Sequence, residues 1–97
     1  MAFSYSDKNF TVVGNLCFVH IYLDGTETLF DIPPAISDRM LLNKFSCLYS
    51  YNIKPKDIGS RFGSRNVGFA DIANGKIACP DEGVGYLSFY FPIDSNK

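Results

Sequence analysis

The sequence predicts an all-β fold, a small antiparallel β-sandwich of jelly-roll-like type with one short helical turn. Three observations carry this. Asn74-Gly75 lies between two apolar runs, and a type I′ turn needs positive φ at both central positions, which Asn and Gly tolerate best. The stretch Gly85 to Ile93 sets Leu87, Phe89, Phe91 and Ile93 against Tyr86, Ser88 and Tyr90, the two-residue period of a strand with one face in a core. Short apolar runs with turn residues between them recur along the chain, the pattern of a sandwich.

Taken in order, residues 1 to 8 form an edge strand or a tail. Phe10 to Val13 is a short strand ended by Gly14-Asn15. Leu16 to Leu23 is the most apolar run. Its two faces, Cys17, Val19, Ile21, Leu23 and Leu16, Phe18, His20, Tyr22, are both largely apolar, so a central strand covered on both sides is expected. Asp24-Gly25-Thr26 is a turn by residue type. Thr28 to Ile32 is a strand stopped by Pro33-Pro34, which cannot donate to a ladder. Ala35 to Asn43 holds a single helical turn, with Ser37 as a capping residue; the segment is short of the ~12 residues that sustain a helix. Phe45 to Tyr51 is a strand. Residues 52 to 66 have no period and carry Pro55, Gly59 and Gly63, a long loop of the kind that is functional or mobile. The hairpin follows, then a turn at Pro80 to Gly83 and the aromatic last strand.

The 97 residues suffice for one domain, 1–97, with 1–8 and 94–97 as tails. A chain of this size buries only about two-thirds of its unfolded surface, so a partner subunit would add stability. The composition, 46% hydrophobic and 15% aromatic, argues against disorder. A net charge of −1 leaves no field to draw nucleic acid or an anionic membrane. No apolar run approaches the ~20 residues of a spanning helix, so membrane insertion is not expected, and no signal peptide is visible. Cys17, Cys47 and Cys79 are odd in number and far apart, which argues for buried thiols in a reducing cytoplasm rather than disulfides or a zinc site.

No catalytic set, metal set or cofactor motif emerges. His20 is the only histidine and reads as a half-buried strand residue. Asp24, Glu27 and Asp31 do not match the calcium-loop spacing and read as a solvated turn. The segment Gly59 to Ser64 has no Lys after its second Gly, so it is not a phosphate loop. The candidate ligand site is the long loop: Lys54, Lys56, Arg61, Phe62 and Arg65, with Tyr49 and Tyr51 leading into it. Basic and aromatic groups together can hold sugars, phosphates or single-stranded nucleic acid. Tyr22, Tyr86 and Tyr90 fit either a sugar platform or an oligomer seam, and the seam is slightly favoured, since Tyr is enriched in interfaces.

The order of features resembles the C-terminal β-sandwich of tailed-phage tail fibre, baseplate and receptor-binding structural proteins. The resemblance rests on Gly14-Asn15 before an apolar strand and on Asp31-Ile32-Pro33-Pro34-Ala35. It extends through Val67 to Ile77 and the closing strand Tyr86 to Ile93, and so spans most of residues 10 to 93. The second proline, the missing Trp and the basic loop depart from the pattern. The resemblance implies a non-enzymatic structural or receptor-binding module, a trimer that contacts host-surface carbohydrate, located in the virion tail after synthesis in the host cytoplasm. The alternative is a small phage- or bacterium-encoded inhibitor or regulatory protein that binds a host protein. A small enzyme is a third reading that no residue set supports.

Overall fold

A computed structural model describes residues 3–52, 65–79 and 84–96. Seven strands and one helical turn follow in chain order. They are β1 (Phe10–Val13), β2 (Leu16–Asp24), β3 (Leu29–Asp31), α1 (Pro34–Ser37), β4 (Lys44–Asn52), β5 (Arg65–Ala73), β6 (Lys76–Ala78) and β7 (Val84–Pro92). The all-β class and the single helical turn are as the sequence predicts.

Every strand pairing is antiparallel, and the lateral order is β1-β2-β7-β4-β5-β6-β3. This order divides into two groups. In the first, β2 pairs with β7 along its whole length, from Leu16↔Pro92 to Asp24↔Val84, and β1 flanks β2. In the second, β4 pairs with β5 from Lys44↔Ala73 to Asn52↔Arg65, and β6 and β3 follow. One residue pair, Asn52↔Val84, joins the groups. Away from that corner they are held by side chains: the Phe45 ring lies 6.1 Å from Phe89 and 5.9 Å from Phe91. Buried residues of both groups form one core.

Turn chemistry sets the registers. Asn74 and Gly75 have φ of 54° and 75°, so both central residues of the β5–β6 turn are left-handed, as a type I′ turn demands. At Gly14-Asn15 only Gly14 is left-handed, with φ 61°, which fits a type II′ turn. At the β2 end, Asp24 Oδ1 accepts bonds from the Thr26 hydroxyl (2.7 Å), Thr26 N (2.9 Å) and Glu27 N (3.3 Å), with Gly25 at φ 88°.

Three expectations change. First, β2 is covered on one face alone. Cys17, Val19, Ile21 and Leu23 are at most 2% exposed, whereas Phe18, His20 and Tyr22 face solvent. Both flanks of β2 are taken by strands in its own sheet, and burial of the second face would need an element stacked above it. Second, Ser37 closes the helical turn instead of starting it. Pro33 occupies the N-cap position without a side-chain bond, and Ser37 Oγ donates to Pro34 O at 3.3 Å. The turn serves to bury Ile36. Third, the ends expected as tails are tied down. Phe3 N donates to Ser95 O (2.9 Å), Val12 N donates to Tyr5 O (2.9 Å), and the Arg39 guanidinium sits 3.8 Å above the Phe3 ring. Ser95 is buried, and its hydroxyl donates to Asn15 Oδ1 at 2.7 Å. The ladder at β3 is short, but Cys79 N to Thr28 O and Ile32 N to Gly75 O extend its bonding over Thr28 to Ile32, the span the sequence indicates.

Candidate ligand-binding face

The outward positions of β2 and β7 form one face. Alternation on each strand turns Phe18, His20 and Tyr22 outward on β2, and Tyr86, Ser88 and Tyr90 outward on β7. The register then pairs Phe18 with Tyr90, His20 with Ser88 and Tyr22 with Tyr86. Cross-strand neighbours at this spacing touch. Phe18 and Tyr90 rings lie 5.6 Å apart, and Tyr22 meets Tyr86 edge-on at 5.3 Å. The imidazole of His20 stacks on Tyr86 at 4.7 Å with 12° between the planes. The four aromatic rings Phe18, Tyr22, Tyr86 and Tyr90 are 42 to 62% exposed.

His20 is therefore an exposed, oriented residue rather than a half-buried one. Its Nδ1 shares a hydrogen bond with Ser88 Oγ at 2.5 Å. Its other ring nitrogen and the hydroxyls of Tyr22, Tyr86 and Tyr90 make no hydrogen bond among the described residues. As a nucleophile and base, Ser88 and His20 would need a third group to orient the imidazole through Nε2. Among the described residues none does so. Between the Phe18–Tyr90 pair and the His20–Ser88 pair lies a shallow depression of about 340 Å³, with Val19 and Phe89 completing its lining. None of the outward residues of β1, β2 and β7 that border it, Thr11 among them, is a Lys, Arg, Asp or Glu.

A second outward face belongs to β4 and β5. Leu48 pairs with Phe69, Val67 lies beside them, and all three are 57 to 66% exposed. The Ser46 hydroxyl donates to Asp71 Oδ1 at 2.6 Å in the same face. This patch is aliphatic with one ring, and it has a charge at its end.

The residues named from the sequence fall in different places. Tyr22, Tyr86 and Tyr90 come together in the ring face. Tyr49 is 6% exposed and packs in the core. A buried ring there serves the core and not a loop ligand. Lys54, Lys56, Arg61 and Phe62 lie outside the described residues. Tyr51 is the last residue but one of β4 and Arg65 begins β5, in neighbouring backbone pairs of one ladder, and their side chains also lie outside the description. Phe18, His20 and Ser88 were not named as site residues. The alternation of β2 and β7 shows which side chains share a face of each strand, but their juxtaposition depends on a pairing across more than sixty residues.

The acidic trio does not gather. The Thr26 hydroxyl, with the Thr26 and Glu27 amides, holds the Asp24 carboxyl below its usual range. Asp31 instead pairs with Lys76 at 2.6 Å. No cluster of three metal-ligating side chains occurs among the described residues. Burial pushes the Cys17 and Cys79 thiols up to about 11, which makes them poor nucleophiles and poor ligands. Among the described residues no helix is long and apolar enough to cross a membrane. Comparison of the chain with known protein families, with curated proteins and with solved structures gives no match.

Proposed function

We propose that this domain is a non-enzymatic receptor-binding module of the phage-tail type, which engages host-surface carbohydrate through the ring face of β2 and β7. One observation carries the reading: four aromatic rings are exposed side by side on a fully paired two-strand ladder. Exposed rings grouped this way mark a binding surface more often than solvent-facing decoration. A site on a paired ladder is also better positioned than one on a loop. Shallow faces bind weakly, so the module acts in several copies, as a trimer in the virion tail, where avidity multiplies the affinity of each site. Assembly through Leu48, Val67 and Phe69 would leave the ring face open.

A second reading is that the ring face docks a host protein, as an inhibitor or regulator would. The richness of the face in tyrosine favours it. Both readings are tested by a glycan array and a host-lysate pull-down, run on the wild type and on Tyr86→Ser/Tyr90→Ser, with light scattering of each. The adhesion reading expects array binding that the double variant loses, from an oligomer of unchanged size. A monomer silent on the array that captures one host protein through the ring face supports the second reading. Array binding that survives the double variant places the ligand elsewhere, with the loop as the next location to test.

A further inference from the structure

We infer that the depression bounded by Phe18, His20, Ser88 and Tyr90 is a subsite for one uncharged pyranose ring. This rests on the receptor-binding reading and narrows it to a ligand class and a position. Three features select the ligand. The volume, about 340 Å³, lies at the lower end of small-molecule sites and suits a single ring rather than a peptide segment. The walls are the Phe18 and Tyr90 rings, tilted 38° to one another, and the electron-rich face of an aromatic ring attracts the polarised C–H groups on the apolar side of a pyranose. The polar part is the His20–Ser88 pair, in which the imidazole is fixed by stacking on Tyr86. One serine hydroxyl and one free imidazole nitrogen can satisfy two adjacent sugar hydroxyls.

Charge and satisfaction exclude the rivals. Recognition of a carboxylate, sulfate or phosphate uses Lys or Arg, and the strands β2 and β7 contain neither. An acidic sugar would gain nothing here. A second copy of the chain laid flat on the face would bury the open His20 nitrogen and the tyrosine hydroxyls against rings. Each buried unsatisfied group has a desolvation cost. A hydroxyl-rich ligand pairs with them instead.

The test is an amide NMR titration of the full chain with four neutral probes: methyl β-D-glucopyranoside, methyl β-D-galactopyranoside, methyl α-D-mannopyranoside and N-acetylglucosamine. Glucuronic acid and the open-chain polyol sorbitol serve as controls. At least one neutral probe is expected to shift the amides of Phe18, His20, Ser88 and Tyr90 in the millimolar range. Sorbitol is expected to leave them unmoved, and glucuronic acid to bind more weakly than the glucoside. Ser88→Ala should weaken the best probe about five-fold, the worth of one hydrogen bond, and Tyr90→Ala should remove its binding. The inference is overturned if none of the four shifts this set, if glucuronic acid binds as well as the glucoside, or if both variants bind like the wild type. If it is overturned while Tyr86→Ser/Tyr90→Ser still loses array binding, the subsite falls and the receptor-binding reading stands.

Discussion

The β2–β7 ladder has two faces made by alternate residues of the same two strands, and they differ in kind. Inward lie Cys17, Val19, Ile21 and Leu23, opposite Leu87 and Phe91, almost wholly without solvent contact. Outward lie Phe18, His20, Tyr22, Tyr86, Ser88 and Tyr90. The inner set is mostly aliphatic and fills volume, as close packing requires. The outer set carries large flat rings with polar tips and leaves them in water. The contrast shows that hydrophobicity along β2 has two sources, the core on one side and an exposed ring face on the other.

The inner face should break first and hardest. Phe91 is almost fully buried and meets Phe45 across the junction of the two strand groups and Phe89 on its own strand. Phe91→Ala should cost about 3–5 kcal/mol, a large part of the stability of a domain this size. Urea denaturation checks it. A loss under about 1 kcal/mol would show that the two groups are not held together by this core.

The buried thiols sharpen the same point by pH. Cys17 and Cys79 titrate at about 11 in the fold because burial disfavours the thiolate, against an ordinary value of 9.0. The folded state therefore keeps its thiol protons where the unfolded chain releases them. Stability present below about pH 9 should decline as pH rises toward 11. At pH 8 a thiol reagent should label Cys47, which is half-buried, ahead of the other two, and reach those only with denaturant. Rapid labelling of Cys17 in the native protein would place solvent inside the core.

Much of this fold is legible in the sequence, and the reason is local. The Asn74-Gly75 turn declares itself because few residue pairs tolerate two left-handed positions. Pro33-Pro34 stops β3 because proline has no N–H to donate. The alternation of β7 reads directly as inside and outside. What was not legible is non-local. Both faces of β2 look apolar, and composition alone does not separate a face covered by protein from one left in solvent. Tyr49 leads into the basic loop and so suggests a ligand site, yet its place in the alternation of β4 puts it in the core. Tyr22, Tyr86 and Tyr90 were grouped by residue type. Phe18, His20 and Ser88 join them only through the β2–β7 register.

The hairpin offers a middle case, where conformation and not burial sets the cost. A Cβ added at Gly75 would meet Ser37 at 3.6 Å, an ordinary contact, so space is adequate. Its φ of 75° is the obstacle, and Gly75→Ala should cost about 1–2 kcal/mol. That corresponds to roughly 4–8 °C in Tm per kcal/mol for a domain near this length. An unchanged Tm would mean that the turn does not hold the β5–β6 register.

The smallest effect on stability should come from the outer face, at a residue directly adjacent in the chain to a core position. Tyr22 follows Ile21, yet its ring is 55% exposed and, among the described residues, its one ring contact is with Tyr86. Tyr22→Thr keeps a residue suited to strands and removes that contact, so it should cost only about 0.5 kcal/mol. Ile21→Ala, one residue away, should cost about 2–5 kcal/mol because it opens a cavity. Thermal melts of the two single variants, measured side by side, check the difference. If Tyr22→Thr proves as damaging as Ile21→Ala, the ring face is part of the folding core of a larger assembly, and its exposure in the single chain is not its working state. If it is nearly neutral in stability but weakens array binding, the rings are kept for recognition, at a position that folding alone leaves free to vary.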